Sequence, residues 1–492
     1  MADYNARQRQ QIPRQDMPVQ DARSRGGNFS EVALGYSPET AQLEAERCLQ
    51  CTKPRCVEQC PVGVPIPQFI LALRRGDLAE AARVMQTKNS LPAICGRVCP
   101  QESQCEEVCV LTKKGRSVAI GRLERFVGDS ELASRTVPLE PRPATGKRVA
   151  VIGSGPAGLS CAVDVAREGH QVTVFESLHD AGGVLTYGIP EFRLPRSVVR
   201  GEIEHAAKSL GIELRFDQIV GRTATVPELL RDYDAVFIGS GAGLPAMMAI
   251  PGVNLNGVMS ANEFLTRVNL MQGYRFPDYD TPVKVGARVA VVGAGNVAMD
   301  AARCALRLQR VQSGEVGAVA GQVHVVYRRS REEVPARAEE VEHAEEEGVV
   351  FDFLTNPLAI LGTEQGAVRA MQCIRMELGE PDDSGRRRPV PVAGSEFEIP
   401  VDTVIFALGT SPNPLVFVDA VGLERRKYGT VVADTQCGRT TMPKVWAGGD
   451  VVTGAATVVS AMGAGKQSAA DINAYLRGEV DPWAPPAPVP ST

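Results

Sequence analysis

Residues 148–176 read RVAVIGSGPAGLSCAVDVAREGHQVTVFE. An apolar run, a glycine-rich turn, a stretch of helical spacing and a second apolar run ending in an acid make up a strand–helix–strand unit of the dinucleotide-binding kind. Gly153, Gly155 and Gly158 stand at G-x-G-x-x-G spacing, Pro156 and Ala157 lie inside that turn, and Glu176 follows 18 residues after Gly158. Glycines there permit a tight turn and let a pyrophosphate approach the helix N-terminus, where backbone N–H groups and the helix dipole favour anions. Glu176 is placed to accept hydrogen bonds from an adenosine ribose.

The same grammar recurs at 288–308, RVAVVGAGNVAMDAARCALRL, with Gly293 and Gly295 in the turn and Asn296 and Val297 leading into the helix. Its next strand, QVHVVYRR at 322–329, ends in Arg328 and Arg329 rather than in an acid. A carboxylate would repel a 2′-phosphate, whereas paired guanidiniums can grip one, so NADP(H) is favoured over NAD(H). The acidic stretch after it, VPARAEEVEHAEEEG, reads as an exposed helix. Two runs ending in small residues, DAVFIGSGAG (234–243) and DTVIFALGTSPNP (402–414), flank the second unit and read as crossings between two nucleotide domains; Gly409 in the second is assigned to NADP(H). KVWAGGD (444–450) and the helix after it then return to the first domain. Gly449, Asp450, Thr457 and Val458 there read as a flavin element, with Asp450 for a ribityl hydroxyl and a helix N-terminus to stabilise charge on a reduced flavin, which makes the first nucleotide an FAD.

The cysteines are unevenly spread, with eight of the 12 between Cys48 and Cys109. The spacing is Cys48-x2-Cys51-x4-Cys56-x3-Cys60-Pro61, then Cys95-x3-Cys99-Pro100-x4-Cys105-x3-Cys109. Close thiols followed by Cys-Pro suit iron–sulfur clusters. Zinc is the alternative, but a flavin and a pyridine nucleotide supply single-electron carriers with work to do. Counting alone pairs the first four cysteines in one cluster and the last four in another.

The 492 residues are too many for one ordinary core. The reading divides them into an extended or weakly ordered arm (1–37), a helical iron–sulfur domain (38–145), the first part of an FAD domain (146–280), an NADP domain (281–398), the second part of the FAD domain (399–478) and a loose Pro-rich tail (479–492). The fold class is α/β, a helical domain followed by two Rossmann-like domains, the FAD domain discontinuous. A net charge of −5 and an aromatic share of 5% argue against a nucleic-acid surface. The polar start lacks the apolar core of a signal peptide and no run of about 18 apolar residues occurs, so a soluble, cytoplasmic protein without membrane attachment is expected.

Together, CLQCTKPRCVEQCPV, AICGRVCPQESQCEEVCV, AIGRLERFVGD, GGVLTYGIPEFRLP and WAGGDVVTGAATVVSAMGAGKQSA resemble the small (β) subunit family of NADPH-dependent glutamate synthase. The same module occurs in the large subunit of the bifurcating NADH-dependent ferredoxin:NADP oxidoreductase and in dihydropyrimidine dehydrogenase. The resemblance implies interlaced ligands: Cys48, Cys51, Cys56 and Cys109 for one [4Fe-4S] cluster, and Cys60, Cys99, Cys105 and Glu124 for a second, leaving Cys95 unbound. Without it, Glu124 is merely an exposed helix acid. It also implies that the loop Gly183–Pro195 lies beside the flavin, with Gly183, Leu185 and Arg193, and Val220 beyond it, as contacts. The activity implied is electron entry, from NADPH through FAD and two clusters to a glutamate synthase large subunit or another electron-accepting flavoprotein or iron–sulfur subunit, the alternative being the flavin-based electron-bifurcating subunit of an NADH-dependent ferredoxin:NADP oxidoreductase. No catalytic side chain is required.

Overall fold

The computed structural model describes residues 4–313, 322–382, 385–481 and 483. One parallel sheet takes the order Val445–Ala447, Ala235–Ile238, Arg148–Ile152, Gln171–Phe175 and Glu213–Arg215. A second takes the order Val258–Ser260, Thr403–Phe406, Arg288–Val292, Gln322–Val326 and Val350–Asp352. The inner strands are buried apolar runs, as parallel strands covered by helices on both faces require. The architecture is the expected one, α/β with a helical N-terminal domain and a discontinuous first nucleotide domain.

The boundaries differ from those read in the sequence. Val258–Ser260, its helix Ala261–Val268 and Thr403–Phe406 all belong to the second sheet, not to the first domain. The crossings themselves, Leu244–Pro245 and Thr410–Ser411, pair antiparallel with each other. A three-residue strand such as Val258–Ser260 has too little length to show a period. Unforeseen too is an antiparallel sheet, Thr355–Gly362, Val368–Pro381 and Arg387–Pro400, inserted before the last strand of the second sheet.

Ahead of the sheets, short helices make the cysteine-bearing domain. Ser37 caps the helix Pro38–Glu46 by accepting from Thr40 N at 3.2 Å, and Asp77 caps Leu78–Gln86 by accepting from Glu80 N at 2.9 Å. Phe69, Ile70, Leu73 and Met85 fill the core between them. The helices Pro92–Val98 and Ile120–Ser134 cross in backbone contact: a Cβ at Gly96 would lie 2.4 Å from Arg125 N, and one at Gly128 2.6 Å from Ala93 N. Only glycine allows that approach.

The arm is not weakly ordered. It forms the helices Ala6–Gln11 and Ala22–Arg25 and straps both neighbouring domains. Arg9 pairs with Glu46 at 2.6 Å, Phe29 stacks on Tyr274 at 4.5 Å, and Arg25, 1% exposed, reaches Glu347 at 2.9 Å. The acidic helix Ala338–Glu347 is likewise not simply exposed. Glu347 is buried among Arg25, Arg303 and Arg307, and Glu340 among Arg193 and Arg303. A buried carboxylate is tolerable only with such partners. Burial works against ionisation of Glu340, but Arg193, Arg303 and Arg337 overcome it and pull the carboxyl down to about 2. For Glu347 too, Arg307 and Arg303 outweigh burial and hold it well below the usual carboxylate range. In the tail, Trp483 meets Trp446 edge-on at 4.9 Å, while residue 482 and those from 484 lie outside the described residues.

Glu347→Ala leaves three buried guanidiniums without their shared counter-charge and is expected to cost about 3–5 kcal/mol. The effect should be read as earlier urea unfolding and as tryptic cleavage in the arm near Arg25. Unchanged unfolding with an intact arm would contradict this account. The part of stability owed to Glu340 is full above about pH 4.3, where an unfolded glutamate ionises, and fades as pH falls towards 2.

Candidate functional site

The two fingerprints are built alike. Gly153 sits at φ 95° with the position of its missing Cβ 2.7 Å from Gly239 O; Gly293 sits at φ 123° with that position 2.4 Å from Ala407 O. In each case the carbonyl belongs to the crossing chain, so a side chain would push the two apart. The second glycines, Gly155 and Gly295, face open space, which leaves room for a phosphate before the helices Pro156–Arg167 and Asn296–Ser313. A Cβ at Gly158 would lie 1.9 Å from Gly153 O, so this glycine seats the helix on its strand, with Ala157 and Pro156 in the same first turn.

Glu176 stands at the end of Gln171–Phe175, buried, accepting from Ser154 N at 2.9 Å and from Leu178 N at 2.8 Å. Gly449, at φ 77°, leaves no room for a side chain beside Ala157, and Thr457 caps the helix Val458–Leu476. Asp450 Oδ1 is buried without a hydrogen-bond partner among the described residues, and burial raises this carboxyl to about 6 against the hydrogen bond from the Ala456 backbone. Such an orphaned acceptor fits a ligand hydroxyl. Gly183 closes over the fingerprint, the position of its missing Cβ 2.9 Å from Gly155 Cα, while Leu185 and Val220 are buried in apolar cores.

Two arginines do not stand where the sequence reading put them. Arg193 is buried between domains, bound to Asp300 at 2.7 Å and to Glu340 at 3.0 Å, so its charge is spent on protein carboxylates rather than on a flavin. Arg329 is buried as well, with Nη2 2.6 Å from Asp382 and Nε donating to Arg387 O at 2.9 Å. Arg328 remains exposed at the strand end, with no partner among the described residues. Asn296 Oδ1 accepts from Arg337 N at 3.0 Å, Val297 is 43% exposed, and Gly409, at φ 95°, accepts from Ala246 N through its carbonyl at 3.0 Å.

The thiols gather in two groups that cut across the sequence spacing. Burial pushes Cys48 up to about 11 and Cys56 up to about 12, and each is raised further by Cys51 and Cys109, which lie close enough to repel them as thiolates. A second set, Cys60, Cys95, Cys99, Cys105 and Glu124, lines one cavity together with Asn89, Phe69 and Val459. Glu124 is not an exposed acid. It is buried and raised to about 7 by that burial, with Asn89 donating to it at 2.7 Å and acting the other way. Cys95 also faces the cavity, 3.4 Å from Met462 Sδ. Among the described residues no three His, Cys, Asp or Glu side chains converge tightly enough to hold one bare metal ion.

Sequence reasoning missed four contributors. Ser154 orients Glu176 and carried a signal, being inside the fingerprint. Asn89, which holds Glu124, and Asn269, whose amide donates to Tyr187 O and Gly188 O at 3.3 and 3.2 Å, carried none. Gly463 carried none either; the position of its missing Cβ is 2.8 Å from Pro61 O, which seats the Cys60–Pro61 turn directly on the helix Val458–Leu476.

Comparison with known proteins gives the families of the two parts. Residues 25–136 match the family described as dihydropyrimidine dehydrogenase domain II, 4Fe-4S cluster, and residues 147–465 match pyridine nucleotide-disulphide oxidoreductase. The chain is 37% identical over 470 residues to the glutamate synthase [NADPH] small chain of Halomonas elongata, covering 94% of this chain and 97% of that one. It is 42% identical over 461 residues to the NADP(+)-dependent formate dehydrogenase subunit beta of Moorella thermoacetica, but spans only 62% of that longer protein. Mycobacterium tuberculosis FprA in complex with NADPH shares the fold, with a TM-score of 0.56 at 21% identity over 69% of this chain and 85% of that one. Among the described residues no helix is long and apolar enough to cross a membrane. The chain is an oxidoreductase, belonging to the pyridine nucleotide-disulphide oxidoreductases in the branch where a dihydropyrimidine dehydrogenase-type iron–sulfur domain comes first, that of the glutamate synthase small chains.

Proposed function

We propose that this chain is an electron-entry subunit that oxidises NADPH and passes the electrons through FAD and two [4Fe-4S] clusters to a partner chain. The observation that carries the reading is the contact between the two halves. The cavity of Cys60, Cys99, Cys105 and Glu124 is lined also by Val459, in the first turn of the helix that follows Asp450 and Thr457. The flavin cradle and the cysteine cavity therefore share one helix.

A bound flavin would supply hydride acceptance from a nicotinamide and single-electron release towards iron–sulfur clusters. The chain's own residues bind and align. Gly153, Gly155 and Gly158 open the first cradle, Glu176 accepts from ribose hydroxyls, and Asp450 offers its free oxygen to the ribityl chain. Gly293, Gly295 and Asn296 open the second cradle, and Arg328 supplies charge for a 2′-phosphate. Cys48, Cys51, Cys56 and Cys109 would hold one cluster; Cys60, Cys99 and Cys105 the other, with Glu124 rather than Cys95 completing it. The thiols of Cys48, Cys56, Cys60 and Cys105, raised by burial, would give up their protons as iron binds.

The partner favoured is a glutamate synthase large subunit, since the small chains align with this one almost end to end. A formate dehydrogenase-type assembly is the second reading, favoured by the 42% identity to that subunit beta. Anaerobic pull-down of the tagged chain from its own host separates them: a glutamine-utilising large chain supports the first, a formate-oxidising chain the second.

Purified protein is expected to carry about eight iron and eight acid-labile sulfides, which zinc occupancy would contradict. Glu124→Ala should cost about half the iron while Cys95→Ala keeps it; the reverse pattern would make Cys95 the ligand. Asp450→Ala should lose most of its FAD with iron content unchanged, measured on the same preparation. Full flavin retention would remove Asp450 from the cradle.

A further inference from the structure

The end of the strand Gln322–Val326 is where a Rossmann domain meets the ribose 2′-substituent. Of the arginines that follow it, Arg329 is turned inward and Arg331 is paired with Glu345, leaving Arg328 as the one without a partner among the described residues of that segment. The inserted hairpin supplies a replacement. Its strands Val368–Pro381 and Arg387–Pro400 run out to a tip where Pro381 pairs with Arg387. Arg329 seats that tip, binding Asp382 at 2.6 Å on one side and Arg387 O at 2.9 Å on the other.

The side chain of Arg387 is then held at one point. Its Nε donates to Glu333 Oε1 at 3.0 Å, and Glu333 also accepts from Ser330 N at 3.2 Å, two residues beyond Arg328. Nη1 and Nη2 of Arg387 have no partner among the described residues, and the side chain is 49% exposed. A guanidinium fixed through Nε presents its two remaining nitrogens as a fork, the geometry that grips a phosphate bidentately. Glu332 and Glu333 both face Arg387, so its charge is shared with them and what it offers a phosphate is a pair of oriented N–H donors rather than an added net charge.

We infer that Arg387, on the hairpin tip, forms with Arg328 the recognition site for the 2′-phosphate of NADP(H), and that Arg329 is the positioning residue that brings the tip there. The inference deepens the NADPH reading above and rests on it. It also accounts for the insertion: a nucleotide domain choosing NADP(H) gains its second cation from a separate hairpin rather than from its own strand end.

The test uses the full-length holoprotein and isothermal titration calorimetry with 2′,5′-ADP and 5′-AMP, supported by KM for NADPH and NADH with an artificial acceptor. Arg387→Ala is expected to weaken 2′,5′-ADP by about tenfold or more and 5′-AMP by no more than about twofold, with Arg387→Lys between it and the unaltered protein. The NADPH KM should rise in step while kcat changes little. Arg329→Lys, which loses the fork seating the tip, should show the same selective loss. If Arg328→Ala discriminates against 2′,5′-ADP and Arg387→Ala does not, the hairpin has no part in recognition although the NADP(H) reading stands. If the unaltered protein binds 2′,5′-ADP no more tightly than 5′-AMP, that reading fails and the inference with it.

Discussion

The molecule is held in register by backbone approaches that leave no space for a Cβ. At Gly153 and Gly293 the crossing chain presses on the fingerprint turn, at Gly96 and Gly128 two helices of the cysteine domain touch main chain to main chain, and at Gly463 the Cys60–Pro61 turn rests on the flavin-side helix. Each contact sets a distance that a methyl group would lengthen. Opening the crossing at Gly96 would draw Glu124 away from Cys95 and Cys99; opening the one at Gly463 would lift the cysteine cavity off the helix that begins beside Asp450. A route for electrons depends on separations of this kind, so the glycines far from any cofactor matter as much as those beneath a phosphate.

Charge does the complementary work of fixing the domains. Arg25 of the arm, Arg193 of the flavin-side loop, and Arg303 and Arg307 of the second fingerprint helix converge on Glu340 and Glu347. Buried pairs add little net stability over apolar packing, but breaking one leaves an uncompensated charge, so they hold a single relative orientation of the parts strictly. In a chain whose two nucleotide domains are crossed by Leu244–Pro245 and Thr410–Ser411, a lock of this kind restrains one domain against the other.

Legibility in the sequence followed the range of the interaction. Both fingerprints, the acid after the first and the returning element at Gly449 and Asp450 are local patterns, and the structure places them at the ends of adjoining strands as read. The cysteine groups are not local. Spacing pairs Cys60 with its neighbours, whereas in the fold it lines one cavity with Cys95, Cys99 and Cys105, a grouping that counting cannot show. Arginines misled for the same reason: a sequence shows a charge without its partner. Arg25 finds Glu347 from 322 residues away, and Arg329 finds Asp382 from 53, so the arm read as loose and the strand end as a ready phosphate clamp. The inserted hairpin carries no motif, and its strands find each other only in the fold.

The central claim is that NADPH oxidation and cluster reduction are joined within this one chain. The most direct measurement is an anaerobic titration of the holoprotein with NADPH, followed together by visible absorbance and by electron paramagnetic resonance. The account predicts loss of the flavin band with the appearance of a reduced iron–sulfur signal, and a much weaker response to NADH. Flavin reduction that never reaches the clusters, in protein shown to contain iron and sulfide, would contradict it.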